Sequence, residues 1–91
     1  MPESSEATIT LAGDLHARPA GALAVAAGQF ASSVQVSVAG GGEADGKSVL
    51  AVMQLGASSG QQVTVRAAGP DAEKAVETLS AILSSVSKVG E

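Results

Sequence analysis

The stretch Ala7-Thr8-Ile9-Thr10-Leu11 alternates apolar and polar residues, which puts Ala7, Ile9 and Leu11 on one side of a half-buried strand. Residues 1–6 before it are polar and acidic and read as a frayed start. The period then changes. From about Pro19 to Phe30, Ala20, Leu23, Ala24, Ala27, Phe30 and Ala31 recur at spacings of three and four, which predicts a helix with one buried stripe. Ala31-Ser32-Ser33 closes that helix, and Val34-Gln35-Val36-Ser37-Val38 alternates again as a second strand. The glycines at 40–42 form a turn that returns the chain beside this strand as a short third one over 43–46. Ser48 then heads an apolar run as the N-cap of a short helix over 48–54, and Gly56 stops it. Residues 62–67 alternate once more. Gly69-Pro70-Asp71 leads into a last helix with an apolar stripe of Val76, Leu79, Ile82, Leu83 and Val86. Glu73, Lys74, Glu77 and Ser80 fall on its wet side, and residues 87–91 read as a loose tail.

The predicted order is β-α-β-β-α-β-α. Half-buried strands and one-sided helices imply a single α+β domain over residues 1–91, with a four-stranded antiparallel sheet covered by helices on one face. The hydrophobic fraction is 45%, much of it Ala and Val, so the elements must pack closely and leave little wall for a deep pocket. No organic cofactor is expected. With no Cys and one His, neither a disulfide nor a transition-metal centre is expected. A net charge of -4, scattered basic residues and a single aromatic, Phe30, argue against nucleic-acid binding. The longest apolar run is far below the roughly 18 residues of a membrane span, and residues 1–6 lack the basic start of a signal peptide, so a cytoplasmic protein is expected.

The chemistry concentrates in Leu15-His16-Ala17-Arg18-Pro19-Ala20-Gly21, which holds the only His and one of two Arg. Pro19 reads as an early helical position, so His16 sits at or just before a helix start. Unpaired amides and the positive end of the helix dipole make such a start an anion site. A nucleophilic imidazole there that took up a phosphoryl group would lay the new charge against the amides of Ala17 and Arg18, with the Arg18 guanidinium in support. From spacing alone, His16 serves equally well as a solvated cap residue. Asp14 either orients the imidazole or simply closes the Gly13-Asp14 turn, and turn chemistry is the better reading. The short helix cannot bury all of Val49, Leu50, Val52, Met53 and Leu55. Its core face is either Val49, Val52 and Met53 or Leu50, Met53 and Gln54; the remaining apolar surface either forms a docking face or serves core packing, and core packing is the better reading from the residues alone.

The motif Leu-His-Ala-Arg-Pro-Ala resembles the active-site signature of the HPr family, the histidine phosphocarriers of the bacterial sugar phosphotransferase system. The stretch from Gly46 to Gly56, Gly-Lys-Ser-Val-Leu-Ala-Val-Met-Gln-Leu-Gly, looks like that family's regulatory Ser segment and the helix after it. The resemblance runs from about Ala7 to Ser85 and implies an open-faced β-sandwich. It implies that His16, through Nδ1, accepts a phosphoryl group from phospho-Enzyme I and gives it to Enzyme IIA domains. Arg18 would stabilise the moving charge over a backbone cradle at Ala17 and Arg18. Val49, Leu50 and Met53 would dock partners. Ser48 would be the target of a Ser kinase/phosphorylase, or an N-cap alone, and a transcription regulator is a further possible partner. The protein would carry phosphoryl groups as a monomer rather than turn over a substrate. Gly21 stands where many members have a small hydroxyl residue. Two other classes stay open: an HPr-like module of a nitrogen- or carbon-signalling branch, and a small acylphosphatase-like hydrolase, for which a second polar group is missing.

Overall fold

The computed structural model describes residues 3–86. The expected loose tail at 87–91 lies outside them. The elements run β1 (Ser4–Thr10), α1 (Ala17–Ala27), β2 (Ser33–Val38), β3 (Glu43–Asp45), α2 (Val49–Gln54), β4 (Gln62–Ala68) and α3 (Ala72–Ser84). The strands form one antiparallel sheet in the order β1-β4-β2-β3. The fold is therefore the expected open-faced β-sandwich. Val34, Val36, Val38, Val63, Val65 and Ala67 alternate onto the covered face, against Ala20, Leu23 and Ala27 of α1 and Ala75, Leu79 and Leu83 of α3. The other face is polar. There Thr8 and Thr64 share a hydrogen bond of 2.8 Å, and Glu6 pairs with Arg66 at 3.5 Å.

Several boundaries differ from the sequence expectation. Residues 4–6 are not frayed: Ser4, Ser5 and Glu6 pair with Ala68, Ala67 and Arg66, because β4 runs one residue past its alternating stretch and offers a full ladder. Helix α1 begins at Ala17, two residues before Pro19, and ends at Ala27 rather than Phe30. Beyond Ala27 the amides of Gln29 and Phe30 donate to carbonyls three residues back, which tightens the turn. The Asp71 carboxylate then captures the amides of Ala31 and Ser32, both at 2.9 Å, and bends the chain into β2. Ala31 consequently lies exposed rather than on the buried stripe, while Ser32 is buried and its hydroxyl donates to the same carboxylate. Strand β3 ends at Asp45. Gly46 follows because Val34 fills the space a Cβ would need.

Helix α3 buries Ala72 and Ala75 beside Val76, Leu79 and Leu83, while Ile82 is only partly covered. Ser80, expected on the wet side, has its Oγ buried without a hydrogen-bond partner. Asp71 caps α3 by position but makes no side-chain bond to its amides. Its carboxylate instead ties the start of α3 to the end of α1. The Ser32 hydroxyl first, and then the Ala31 amide, hold that carboxyl below its usual pKa. Gly69, before the cap, has φ of +144°, and a Cβ there would lie 2.6 Å from Ser32 Oγ. Only Gly permits this close approach.

Candidate functional site

His16 is the N-cap of α1, in extended conformation (φ -93°, ψ -163°). Its carbonyl accepts the first helical bond, from the Ala20 amide at 3.0 Å. Pro19 therefore sits in the first turn without costing a bond, since no amide there would have had a partner. Of the residues between His16 and Ala20, only Ala17 and Arg18 carry amides. Neither amide has an intrahelical acceptor, so both are available to an anion above the helix start. His16, Ala17 and Arg18 are all exposed. Among the described residues the imidazole makes no cap bond, and Arg18 forms no ion pair.

The backbone beneath the ring is held firmly. Leu15 is 2% exposed and packs in the core, and its amide donates to the Ala57 carbonyl at 2.9 Å. Leu11 exchanges two bonds with the 60–61 segment: its amide to Gln61 O at 2.9 Å, and its carbonyl from the Gly60 amide at 2.8 Å. Asp14 Oδ1 accepts from the Ser59 amide at 2.9 Å, and Ser59 Oγ donates to Ala12 O. This settles the role of Asp14, which fixes the approach loop to the 57–61 loop. Sequence reading assigned 57–61 no part in the site. The partners lie 45 residues apart, and a Ser-Ser-Gly loop carries no pattern that names its neighbour.

Ser48 caps α2, with its Oγ accepting from the Ala51 amide at 3.1 Å. The turn before it is closed by Asp45 Oδ1, which accepts from the Lys47 amide, while Lys47 Nζ donates to Phe30 O at 3.0 Å. Within α2 only Val52 is fully buried. Met53 belonged to both alternative core faces, yet it is 40% exposed, beside Leu50 at 65% and Val49 at 39%. A two-turn helix resting on α1 and β3 has one contact line, and Val52 fills it. The same three residues expected to dock partners thus form an open apolar surface.

Among the described residues, no group of three or more His, Cys, Asp or Glu is placed to hold a metal ion. No helix there is long and apolar enough to cross a membrane. What the His16 region offers is an exposed nucleophile, two free amides, a guanidinium two residues on, and a stiff backbone. That set can take a phosphoryl group and release it again, because nothing encloses it.

Comparison with known proteins agrees with this chemistry. A family model described as the PTS HPr component phosphorylation site matches residues 3–85. The phosphocarrier protein HPr of Cupriavidus necator is 39% identical over 77 residues, covering 85% of this chain and 85% of that protein. A multiphosphoryl transfer protein of Xanthomonas campestris is 40% identical over 86 residues, covering 94% of this chain. The chain spans only 10% of that much longer relative. The crystal structure of a phosphocarrier protein HPr from Bacillus anthracis superposes with a TM-score of 0.76 at 28% identity, over 90% of this chain and 96% of that one. The chain belongs to the HPr family of phosphocarrier proteins of the phosphotransferase system.

Proposed function

We propose that His16 is the phosphoryl acceptor and donor of this carrier. Phospho-Enzyme I presents its phosphohistidine, and a ring nitrogen of His16, Nδ1 by family resemblance, attacks the phosphorus. The donor's P–N bond breaks as the new one forms, and the donor imidazole leaves with the electron pair. The reverse geometry then delivers the group to an Enzyme IIA domain. The observation that carries this reading is the exposed N-cap position of His16, beneath the free amides of Ala17 and Arg18. Those amides and the helix dipole stabilise the phosphoryl oxygens, and Arg18 balances their charge. The site is open to water, so the bound state is not held too tightly to be passed on.

Val49, Leu50 and Met53 support partner docking by their exposure. Ser48 is the regulatory target: a kinase/phosphorylase would add a phosphate at the start of α2, where the helix end tolerates it. The new charge would stand beside Val49 and Leu50 and weaken docking rather than unfold the helix. The carrier acts in the cytoplasm, where its donor is charged from phosphoenolpyruvate.

Intact mass after incubation with phosphoenolpyruvate and Enzyme I tests the central claim. The native protein gains one phosphate, lost in mild acid and stable in base, and His16→Ala gains none. An unmodified native protein in the presence of active Enzyme I would remove the proposal.

A further inference from the structure

The loop that carries His16 holds a carboxylate whose charge the carrier reading does not use. Apart from His16 itself, Asp14 and Arg18 are the only titratable residues between Ala7 and Gly42, and the 57–61 loop fastened to them has none. Burial alternates across the loop. Leu15 lies in the core, while Asp14 before it and His16 after it are both exposed. In extended chain such alternation sends residues i and i+2 to the same side, and His16 is extended at φ -93° and ψ -163°. The Cα atoms of such a pair lie at most about 7 Å apart. The Asp14 side chain is also pinned, since its Oδ1 accepts from the Ser59 amide at 2.9 Å. Among the described residues it pairs with no cation.

That placement sets a fixed negative charge beside whatever the imidazole carries. The amides of Ala17 and Arg18, the helix dipole and the guanidinium all draw a phosphoryl group onto His16. With those attractions alone the protein would hold its cargo better than it gave it away. The loop closure itself needs no charge at position 14, because the oxygen of a neutral side-chain amide accepts from the Ser59 N–H in the same way. The charge of Asp14 is therefore surplus to the fold and acts on the group above it.

We infer that Asp14 is a charge counterweight: it repels the phosphoryl oxygens that Arg18 and the helix start attract, and so raises the transfer potential of phosphorylated His16. This rests on the carrier function proposed above and names the residue that limits its hold on the group. A phosphoryl group brings about two negative charges. At about 7 Å in water, one carboxylate disfavours the phosphorylated carrier about threefold at about 0.05 M salt, and screening removes most of that effect at about 0.5 M.

The test is the equilibrium constant for phosphoryl exchange between phospho-Enzyme I and the carrier, in which the donor's P–N bond is traded for one to His16. It is measured at about 0.05 M and about 0.5 M NaCl, a range over which the screening length falls from above 10 Å to below 5 Å. With dilute proteins the constant depends on the free species alone. Altered docking cannot move it, and neither can a fold loosened alike with and without the phosphoryl group. Asp14→Asn keeps an oxygen for the Ser59 amide and removes the charge. It shifts the constant about threefold toward the carrier at low salt and less than about 1.5-fold at high salt. Asp14→Glu keeps the charge on a longer stem, disturbs the bond to Ser59, and stays within about 1.5-fold of native. An Asp14→Asn constant that is unshifted or shifted toward the donor, a shift that high salt leaves undiminished, or an equal shift in Asp14→Glu overturns the inference while the carrier function stands. No phosphate on native His16 at either salt overturns the carrier reading and this inference together.

Discussion

Replacing Ala17 by Pro removes one amide from the proposed cradle and almost nothing else. Ala17 is the first residue of α1, where Pro is favoured and its amide has no helical partner to lose. The residue before a Pro must be extended, and His16 already is, at φ -93° and ψ -163°. Ala17 is exposed, so the ring meets no wall. The expected loss is therefore one hydrogen bond to a charged phosphoryl oxygen. Such bonds contribute about 1.5–3 kcal/mol, and an open site takes the low end because water replaces the amide in part. A loss of about 1.4 kcal/mol shifts the phosphotransfer equilibrium about tenfold toward the donor. Rapid-quench transfer from phospho-Enzyme I, run to equilibrium at several donor ratios, measures this. Thermal unfolding in parallel checks that the midpoint stays within a few degrees of native. A folded Ala17→Pro protein that reaches the native equilibrium would refute the claim that the helix-start amides hold the phosphoryl group.

Two further outcomes follow from the caps. Ser48→Ala removes the acceptor for the Ala51 amide and costs about 1 kcal/mol; in a domain of this size that lowers the melting midpoint by about 4–8 °C, read by calorimetry. Phosphoryl acceptance at His16 continues in that variant, while labelling by an ATP-dependent Ser kinase is lost. Asp71→Asn weakens the junction between α1 and α3 in a pH-dependent way. The folded-state pKa of Asp71 is lowered, so its contribution is present above the usual carboxylate range and disappears as pH falls through the lowered value. Urea unfolding should therefore show the variant less stable than native at neutral pH, with the gap closing in acid; an equal gap at both would contradict the assignment.

The alternating and helical periods carried most of the fold, because each element presents a single apolar side to one core. Pattern failed where one residue answers to a distant one. The bend from α1 into β2 is set by Asp71, 40 residues beyond Ala31, which no local period reports. The pairing of Ser4 to Glu6 with β4 likewise belongs to the partner strand, since those residues are polar and carry no alternation. Pro19 marked the helix start only to within two residues, because a first turn accepts Pro at more than one place. At the site, the residue types of His16 and Arg18 left a solvated cap equally open until the family resemblance was added, and Met53, part of both alternative core faces of α2, lies exposed. The 57–61 loop beneath them was not legible in the sequence, for apart from the Ser59 hydroxyl its contribution is made by backbone groups that any sequence possesses.

The stitching of residues 11–15 to that loop separates two kinds of freedom. The main chain under His16 is fastened on both sides, yet the ring has no hydrogen bond among the described residues to give up. Two single bonds join the imidazole to its fixed post, and side-chain turns about such bonds at an exposed residue take picoseconds to nanoseconds. In its proposed role as phosphoryl acceptor, the ring can thus swivel between a donor on one visit and an acceptor on the next without any segment of the fold moving. A courier built this way works at the pace of its encounters, with its own shape change removed from the timetable.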